Sequence, residues 1–163
     1  MAKMTFDQMK RMSKRSAYDY AVGIDTGVHT GYAEWDCRKK EFTYIKTIKL
    51  HQALLRLNDK IKAWRREGKQ YIIRIEDARQ RKWINDKYTK EGAKRNIQQG
   101  AGSVKRDAKI WEEFLTDINA NFEMVAPKNN TTKLSSKAFE GLTKYSGTTS
   151  EHARDAAMMV YGY

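Results

Sequence analysis

Apolar and polar positions along this chain fall into blocks of different period, and each change of period predicts a new element. Tyr20-Ala21-Val22-Gly23-Ile24-Asp25 is a short apolar run ending on an acid, which predicts a buried strand. Gly27 and Gly31 then bracket a tight turn. Gly31 to Trp35 reads as a second strand, the polar Asp36–Lys40 cluster as a turn, and Phe42 to Leu50, rich in Thr, Ile and Tyr, as a third strand. Three strands joined so closely predict an antiparallel meander. In residues 51–67 the period lengthens: Leu54, Leu57, Ile61 and Trp64 recur at spacings of three and four, while Arg56, Lys60, Lys62, Arg65 and Arg66 fall largely elsewhere. That is an amphipathic helix, and Gly68 is its natural stop.

Tyr71-Ile72-Ile73-Arg74-Ile75-Glu76 is a β-rich run whose length suits a central strand, and it too ends on a carboxylate. Residues 79–96 read as irregular and basic. A longer helix follows, striped by Val104, Ala108, Trp111, Leu115 and Ile118, and then a short strand, Phe122 to Ala126, closed by Pro127. A helix near 131–145, a break at Gly147 and a last helix from about Thr149 complete the chain. Strands that alternate with helices after a meander predict an α/β sheet covered on both faces. Residues 1–17 stand apart as a basic arm or short amphipathic helix, which leaves 18–163 as one domain.

Composition narrows the class. Of 163 residues 40% are apolar and 11% aromatic, enough for an ordinary core, so the mean hydropathy of −0.84 does not signal disorder. Lys and Arg number 32 against 20 Asp and Glu, a net charge of +12 with a pI near 9.7, which points to an anionic partner, nucleic acid foremost. No run approaches the roughly 18 apolar residues of a membrane span, and no apolar segment of the secretory kind opens the chain. The lone Cys37 rules out an internal disulfide framework and a cysteine-rich zinc site. The expectation is a soluble cytoplasmic protein, bacterial or phage-encoded, with the mitochondrial matrix as the alternative suggested by the basic arm.

Three acids oppose the overall sign at telling places. Asp25 ends the first strand, Glu76 ends the strand after the first long helix, and Asp155 lies on the last helix. Neighbouring strand ends in an α/β sheet converge on one crevice, and a helix packed across it can add a third carboxylate. Like charges a few ångström apart raise one another's pKa, so such a cluster calls for cations, and hard oxygen donors favour Mg²⁺ or Mn²⁺. His152, three residues before Asp155, shares its helix face, and an imidazole ligand suits Mn²⁺ better than Mg²⁺. Each residue has a plainer reading: Asp25 as a turn cap for Thr26 and Gly27, Glu76 as an ion-pair partner of Arg74 or Arg79, His152 as a surface histidine. Glu151 is assigned to a capping box with Thr148, Asp77 to the opposite side of the strand, and Asp36 to the hairpin turn.

The residues from Val22-Gly23-Ile24-Asp25-Thr26-Gly27 through Thr30-Gly31-Tyr32-Ala33 resemble the first motif of the RuvC-type Holliday junction resolvases, within the RNase H-like superfamily. Ile73-Arg74-Ile75-Glu76 is similar to their second acidic motif and His152-Ala153-Arg154-Asp155-Ala156-Ala157 to the terminal one, some members having His at the position of His152. The resemblance spans roughly 20–161. It implies an RNase H-like fold, a mixed five-stranded sheet in which the meander is joined by two parallel strands. It also implies a homodimer whose long helix, here Gly100 to Leu115, contributes to the interface; Trp111, Leu115 and Ile118 are candidates for that role or for ordinary core.

The activity implied is hydrolysis of four-way DNA junctions with two divalent ions held by Asp25, Glu76, His152 and Asp155, leaving 5′-phosphates, in recombination and repair. In two-metal sites the ions lie about 3.5–4 Å apart. Lys133 matches the family's active-site lysine, with Lys128 as the other candidate. Phosphate contacts are expected from Arg79, Arg81, Lys82, Trp83, Lys87, Lys94, Arg95 and Lys105, from the helix holding Arg56 to Arg66, and from the arm. The segment after Glu76 lacks the aromatic that bacterial members carry there, with Trp83 or Tyr88 as substitutes. Two other readings stand beside this one: a catalytically idle basic nucleic-acid-binding module, and an RNase H-like nuclease acting on flaps, forks or RNA–DNA hybrids.

Overall fold

Strands β1 (Tyr20–Asp25), β2 (Thr30–Asp36) and β3 (Glu41–Ile48) form the antiparallel meander that the sequence predicts. Helix α1 (Leu50–Arg66) then crosses the sheet, and β4 (Tyr71–Glu76) and β5 (Phe122–Val125) add to it in parallel with β1, giving the order β3-β2-β1-β4-β5. Helix α2 (Glu91–Asp117) connects β4 to β5, and α3 (Ser136–Thr143) and α4 (Glu151–Val160) follow. A meander extended by two parallel strands makes a mixed five-stranded α/β sheet, as the resemblance implies. The structure is a computed structural model that describes residue 9 and residues 16–80, 91–127 and 133–163, with the backbone alone for 91–101.

Strand alternation divides the core in two. Val22, Ile24, Tyr32, Ile73 and Ile75 point to the face covered by α1 and α2, where Leu57, Ile61, Trp64, Trp111 and Leu115 complete a buried cluster. Ala21, Ala33, Trp35 and Ile72 point the other way, against Phe139 of α3 and Ala153, Ala156, Ala157 and Val160 of α4. Asp25 and Glu76 share the parity of Ala21 and Ile72, so both belong to the α4 face.

Small residues let α4 lie directly on that face. A Cβ at Gly23 would stand 2.0 Å from the Ala156 carbonyl oxygen, and one at Gly31 would stand 2.0 Å from that of His152. No side chain fits at either position unless the helix moves. Together with Ala33 of β2 and the three alanines of α4, these glycines set the depth at which His152 and Asp155 sit.

Several boundaries differ from the sequence expectation. The third strand ends at Ile48 because α1 already begins at Leu50. Residues 91–96, read as irregular from their charge, are the opening of α2. Gly92, Gly100 and Gly102 weaken the local helix signal there, whereas the buried Asp107, Ala108, Trp111 and Leu115 anchor the helix by packing. Helix α3 is shorter than the expected 131–145. It starts at the Ser135 cap, whose hydroxyl accepts from Ala138 N at 3.2 Å, and stops at Lys144, a left-handed residue with φ 62°. Trp111 and Leu115 are fully buried in the chain's own core, so neither is available to a partner subunit; Ile118 is partly buried at its edge.

Candidate active site

Asp25 and Glu76 are brought together by strand register. Ile24 pairs with Ile75 in the parallel β1–β4 ladder, so the next residues, Asp25 and Glu76, leave adjacent strands at the same level. The Thr26 hydroxyl donates to the Glu76 carbonyl at 3.0 Å and ties the two strand ends together. Asp25 is 7% exposed. It does not serve the turn alone: its Oδ2 lies 2.9 Å from His152 Nδ1, across 127 residues of sequence.

His152 and Asp155 are delivered by the first turns of α4. Ser150 caps this helix, its hydroxyl accepting from Ala153 N at 3.2 Å, and the Thr47 hydroxyl at the end of β3 hydrogen-bonds to the same Ser150 oxygen. Capping by Ser150 corrects the expected capping box of Thr148 and Glu151. Glu151 is the first residue of the helix, too early to reach back to the cap, and its carboxylate instead pairs with Lys133.

Lys133 lies just before α3, and one arginine fixes that segment. Arg154 Nε donates to the Leu134 carbonyl at 2.8 Å, while Nη1 donates to the Thr149 carbonyl at 2.7 Å, so the guanidinium bridges the backbone beside Lys133 to the backbone leading into α4. The Lys133 ammonium reaches Glu151 and stands 3.8 Å from Asp155 Oδ2. Its pKa is raised, chiefly by the Glu151 hydrogen bond and further by the charges of Asp155 and Asp25, and Glu151's is lowered by the same bond. Asp155 is pushed above the ordinary carboxylate range by burial; Lys133 and His152 oppose this, and the charges of Glu151 and Glu76 add to it.

Asp25, Glu76, Glu151, His152, Asp155 and Lys133 therefore share one electrostatic neighbourhood. Among the described residues, no three His, Cys, Asp or Glu side chains converge closely enough to hold an ion as they stand. What the acids have is an ammonium and an imidazole. The donor set fits a hard divalent cation in its chemistry: carboxylates crowded by like charge, one of them with a raised pKa, drawing in the nearest available cation.

The site lies at the carboxyl ends of β1 and β4, beside the first turns of α4. Two hollows among the described residues lie elsewhere: one is lined by Arg65, Lys69, Gln70 and Asn121 at the opposite end of β4, another by Asp59, Lys62 and Arg66.

The remaining expected residues are less gathered. Arg79, in a short turn of 3₁₀ helix at Ala78–Gln80, donates to Asp77 at 2.7 and 2.9 Å and to Glu112 of α2 at 2.7 Å. Asp77, buried at 4%, is held below the usual carboxylate range because hydrogen bonds from Arg79 and Gln80 outweigh its burial. Arg74 donates to Glu123 at 3.0 Å and to the Met159 carbonyl at 2.8 Å. Arg56 and Lys60, expected to face phosphates, pair with the buried Glu34 at 2.7 and 3.3 Å. Lys105 is half-buried on α2, which also carries Lys94 and Arg95 in its backbone. Arg81, Lys82, Trp83, Lys87, Tyr88 and Lys128, and the arm apart from Met9, Ser16 and Ala17, lie outside the described residues.

Sequence reasoning missed Gly23, Arg154 and Glu151. Gly23 and Arg154 were visible inside the motifs, but a close approach or a backbone clamp has no signature until the helix is placed.

No family model matches the chain, and no curated protein matches it. Among solved structures, one titled "Thermus thermophilus RuvC structure" matches with 10% sequence identity and a TM-score of 0.43, covering 88% of this chain and 92% of that one. At that identity the likeness concerns the fold alone. Among the described residues no helix is long and apolar enough to cross a membrane.

Proposed function

We propose that this chain is a divalent-metal-dependent endonuclease that cuts branched DNA, four-way junctions foremost, by phosphodiester hydrolysis. The observation that carries this reading is the meeting of Asp25, Glu76, His152 and Asp155 at one end of the sheet with Lys133 beside them. The order of those residues along the chain, two strand-end acids and a terminal-helix His-x-x-Asp, is the order of the resolvase motifs they resemble.

Asp25, Glu76, His152 and Asp155 would hold the metal, Mg²⁺ or Mn²⁺, with two ions per site. When bound, the ions supply an activated water and neutralise the departing 3′ oxygen. The protein's own groups do the rest. Thr26 holds the two strand-end acids level, Asp25 orients the His152 ring, and Lys133 contributes positive charge where a phosphorane gathers negative charge. The net charge of +12 holds the nucleic-acid backbone, and binding should weaken steeply with salt. Paired cuts across a symmetric junction call for a two-fold homodimer.

The deciding experiment offers the protein synthetic four-way, three-way, flap, fork and RNA–DNA hybrid substrates with Mg²⁺ or Mn²⁺. The four-way junction should be cut fastest, to 5′-phosphate ends, and Asp25→Asn should abolish cutting while leaving binding intact. Wild-type protein that binds the junction and never cuts, over a range of metals, would establish an idle binding module instead. Preference for flaps or hybrids would move the substrate and keep the chemistry.

A further inference from the structure

Glu151 has no capping duty, yet it is not an idle surface acid. Its carboxylate takes the Lys133 ammonium, whose next carboxylate oxygen is Asp155 Oδ2 at 3.8 Å. Glu151 stands at the half-exposed rim, with its side chain 50% accessible, whereas that of Asp155 is 33% accessible. The Arg154 clamp fixes the backbone on both sides, at Leu134 and at Thr149. Only the swing of the lysine side chain then decides whether its charge rests at the rim or among the acids.

We propose that Glu151 is a positioning residue: it draws the Lys133 ammonium toward the rim, leaving it 3.8 Å from Asp155 Oδ2 and beyond hydrogen-bonding distance, and so keeps the carboxylates of Asp155 and Asp25 open to a divalent ion. The inference rests on the metal-dependent reading of the site given above. An ammonium and a divalent cation compete for the same carboxylate oxygens. With the Glu151 charge removed, the nearest acid to Lys133 is Asp155, and the lysine becomes a resident competitor. At the rim, the same ammonium is placed to meet a phosphate that approaches the acids.

The test is Mn²⁺ binding to the full chain without DNA, measured by calorimetry for wild type, Glu151→Gln, Lys133→Met and the double variant. Glu151→Gln should weaken Mn²⁺ by about tenfold, as is usual when a group supporting metal ligands is lost. Lys133→Met should not weaken it, and the double variant should bind like Lys133→Met, because the glutamine has no ammonium left to release. Glu151→Asp should recover most of the affinity. If Glu151→Gln binds Mn²⁺ like wild type, or weakens it equally in the Lys133→Met background, Glu151 does not act through the lysine and the inference is overturned. If wild type itself binds no Mn²⁺, the metal reading of the site fails, and the inference falls with it.

Discussion

His152 Nδ1 stands 2.9 Å from Asp25 Oδ2, joining the last helix to the first strand. A carboxylate that accepts from one ring nitrogen fixes the tautomer and leaves the other nitrogen's lone pair for a cation. On the proposed reading, in which His152 is a ligand, the residue type sets the metal, because imidazole favours Mn²⁺ over Mg²⁺ while carboxylate serves both. His152→Asp should shift the cleavage optimum toward Mg²⁺. His152→Ala should lower turnover by roughly 10- to 100-fold with either metal, the range for lost support of a metal site. Junction cleavage across Mg²⁺ and Mn²⁺ titrations reads both outcomes, and an unchanged metal preference in His152→Asp would remove His152 from the ligand set.

The glycines beneath α4 give a second expectation. A methyl group at Gly31 would meet the His152 carbonyl oxygen at 2.0 Å, and one at Gly23 would meet that of Ala156 at the same distance. Both substitutions overfill a packed interface and should cost about 2–3 kcal/mol in urea unfolding. Their effects on cleavage should separate. Gly31→Ala displaces the helix at His152 itself, where the ring meets Asp25, whereas Gly23→Ala acts at Ala156, one helical turn further along α4. At temperatures where both variants are folded, Gly31→Ala should therefore be the slower enzyme.

The acid-sensitive tie between the domain's first residues and its sheet lies far from the site. Asp19 accepts from Arg38 Nε and from Gln70 N, each at 2.8 Å, and the Arg38 hydrogen bond is the main cause of its lowered pKa. A carboxyl whose pKa is lower folded than unfolded adds stability above its unfolded value, near 3.8, and loses it as the pH falls through the folded value. Solvent screens this pair, so its worth is about 1 kcal/mol at most. Asp19→Asn should therefore melt below wild type at pH 7, by about 2–4 °C. The gap should narrow as the pH falls below 3.8 toward the folded value, and a gap that does not narrow with acid would show that the loss is not electrostatic.

The meander and the parity of Asp25 and Glu76 were legible in the sequence because they follow from local period and from two apolar runs that each end on an acid, whereas the two parallel strands beside the meander were implied only by the family resemblance. His152 and Asp155 were legible because helical spacing places them on one face. Long-range fits left no local trace. That Ser150 rather than Thr148 caps α4 follows from where the helix begins, at Glu151, and the Thr47 hydroxyl of β3 meets the same Ser150 oxygen. Likewise, a stripe containing Trp111 and Leu115 looks the same whether it meets its own sheet or a second subunit, and only the placed α2 shows both residues in the core.

The basic face of α1 shows the same ambiguity for charge. Arg56, Lys60, Lys62, Arg65 and Arg66 read as a phosphate-binding row, yet three of the five are engaged within the fold. Arg56 donates to Glu34 Oε1 at 2.7 Å with its guanidinium 3.5 Å over the Tyr44 ring, and Lys60 lies 3.3 Å from Glu34 Oε2. Arg65 donates to the carbonyls of Ile118 and Asn119 at 2.7 and 2.8 Å, closing the end of α2. Glu34 is only 2% exposed, and these two cations reach it from the face of α1. Arg56→Ala strips the shorter of the two contacts and should destabilise the fold by about 2 kcal/mol, the scale of a hydrogen bond to a charged group. Its junction affinity should fall little, and the slope of log affinity against log salt should stay at the wild-type value, since no phosphate contact is lost. Lys62→Ala with Arg66→Ala is the control, leaving stability nearly unchanged. A salt slope that drops by about one unit in Arg56→Ala would return that arginine to the nucleic-acid interface.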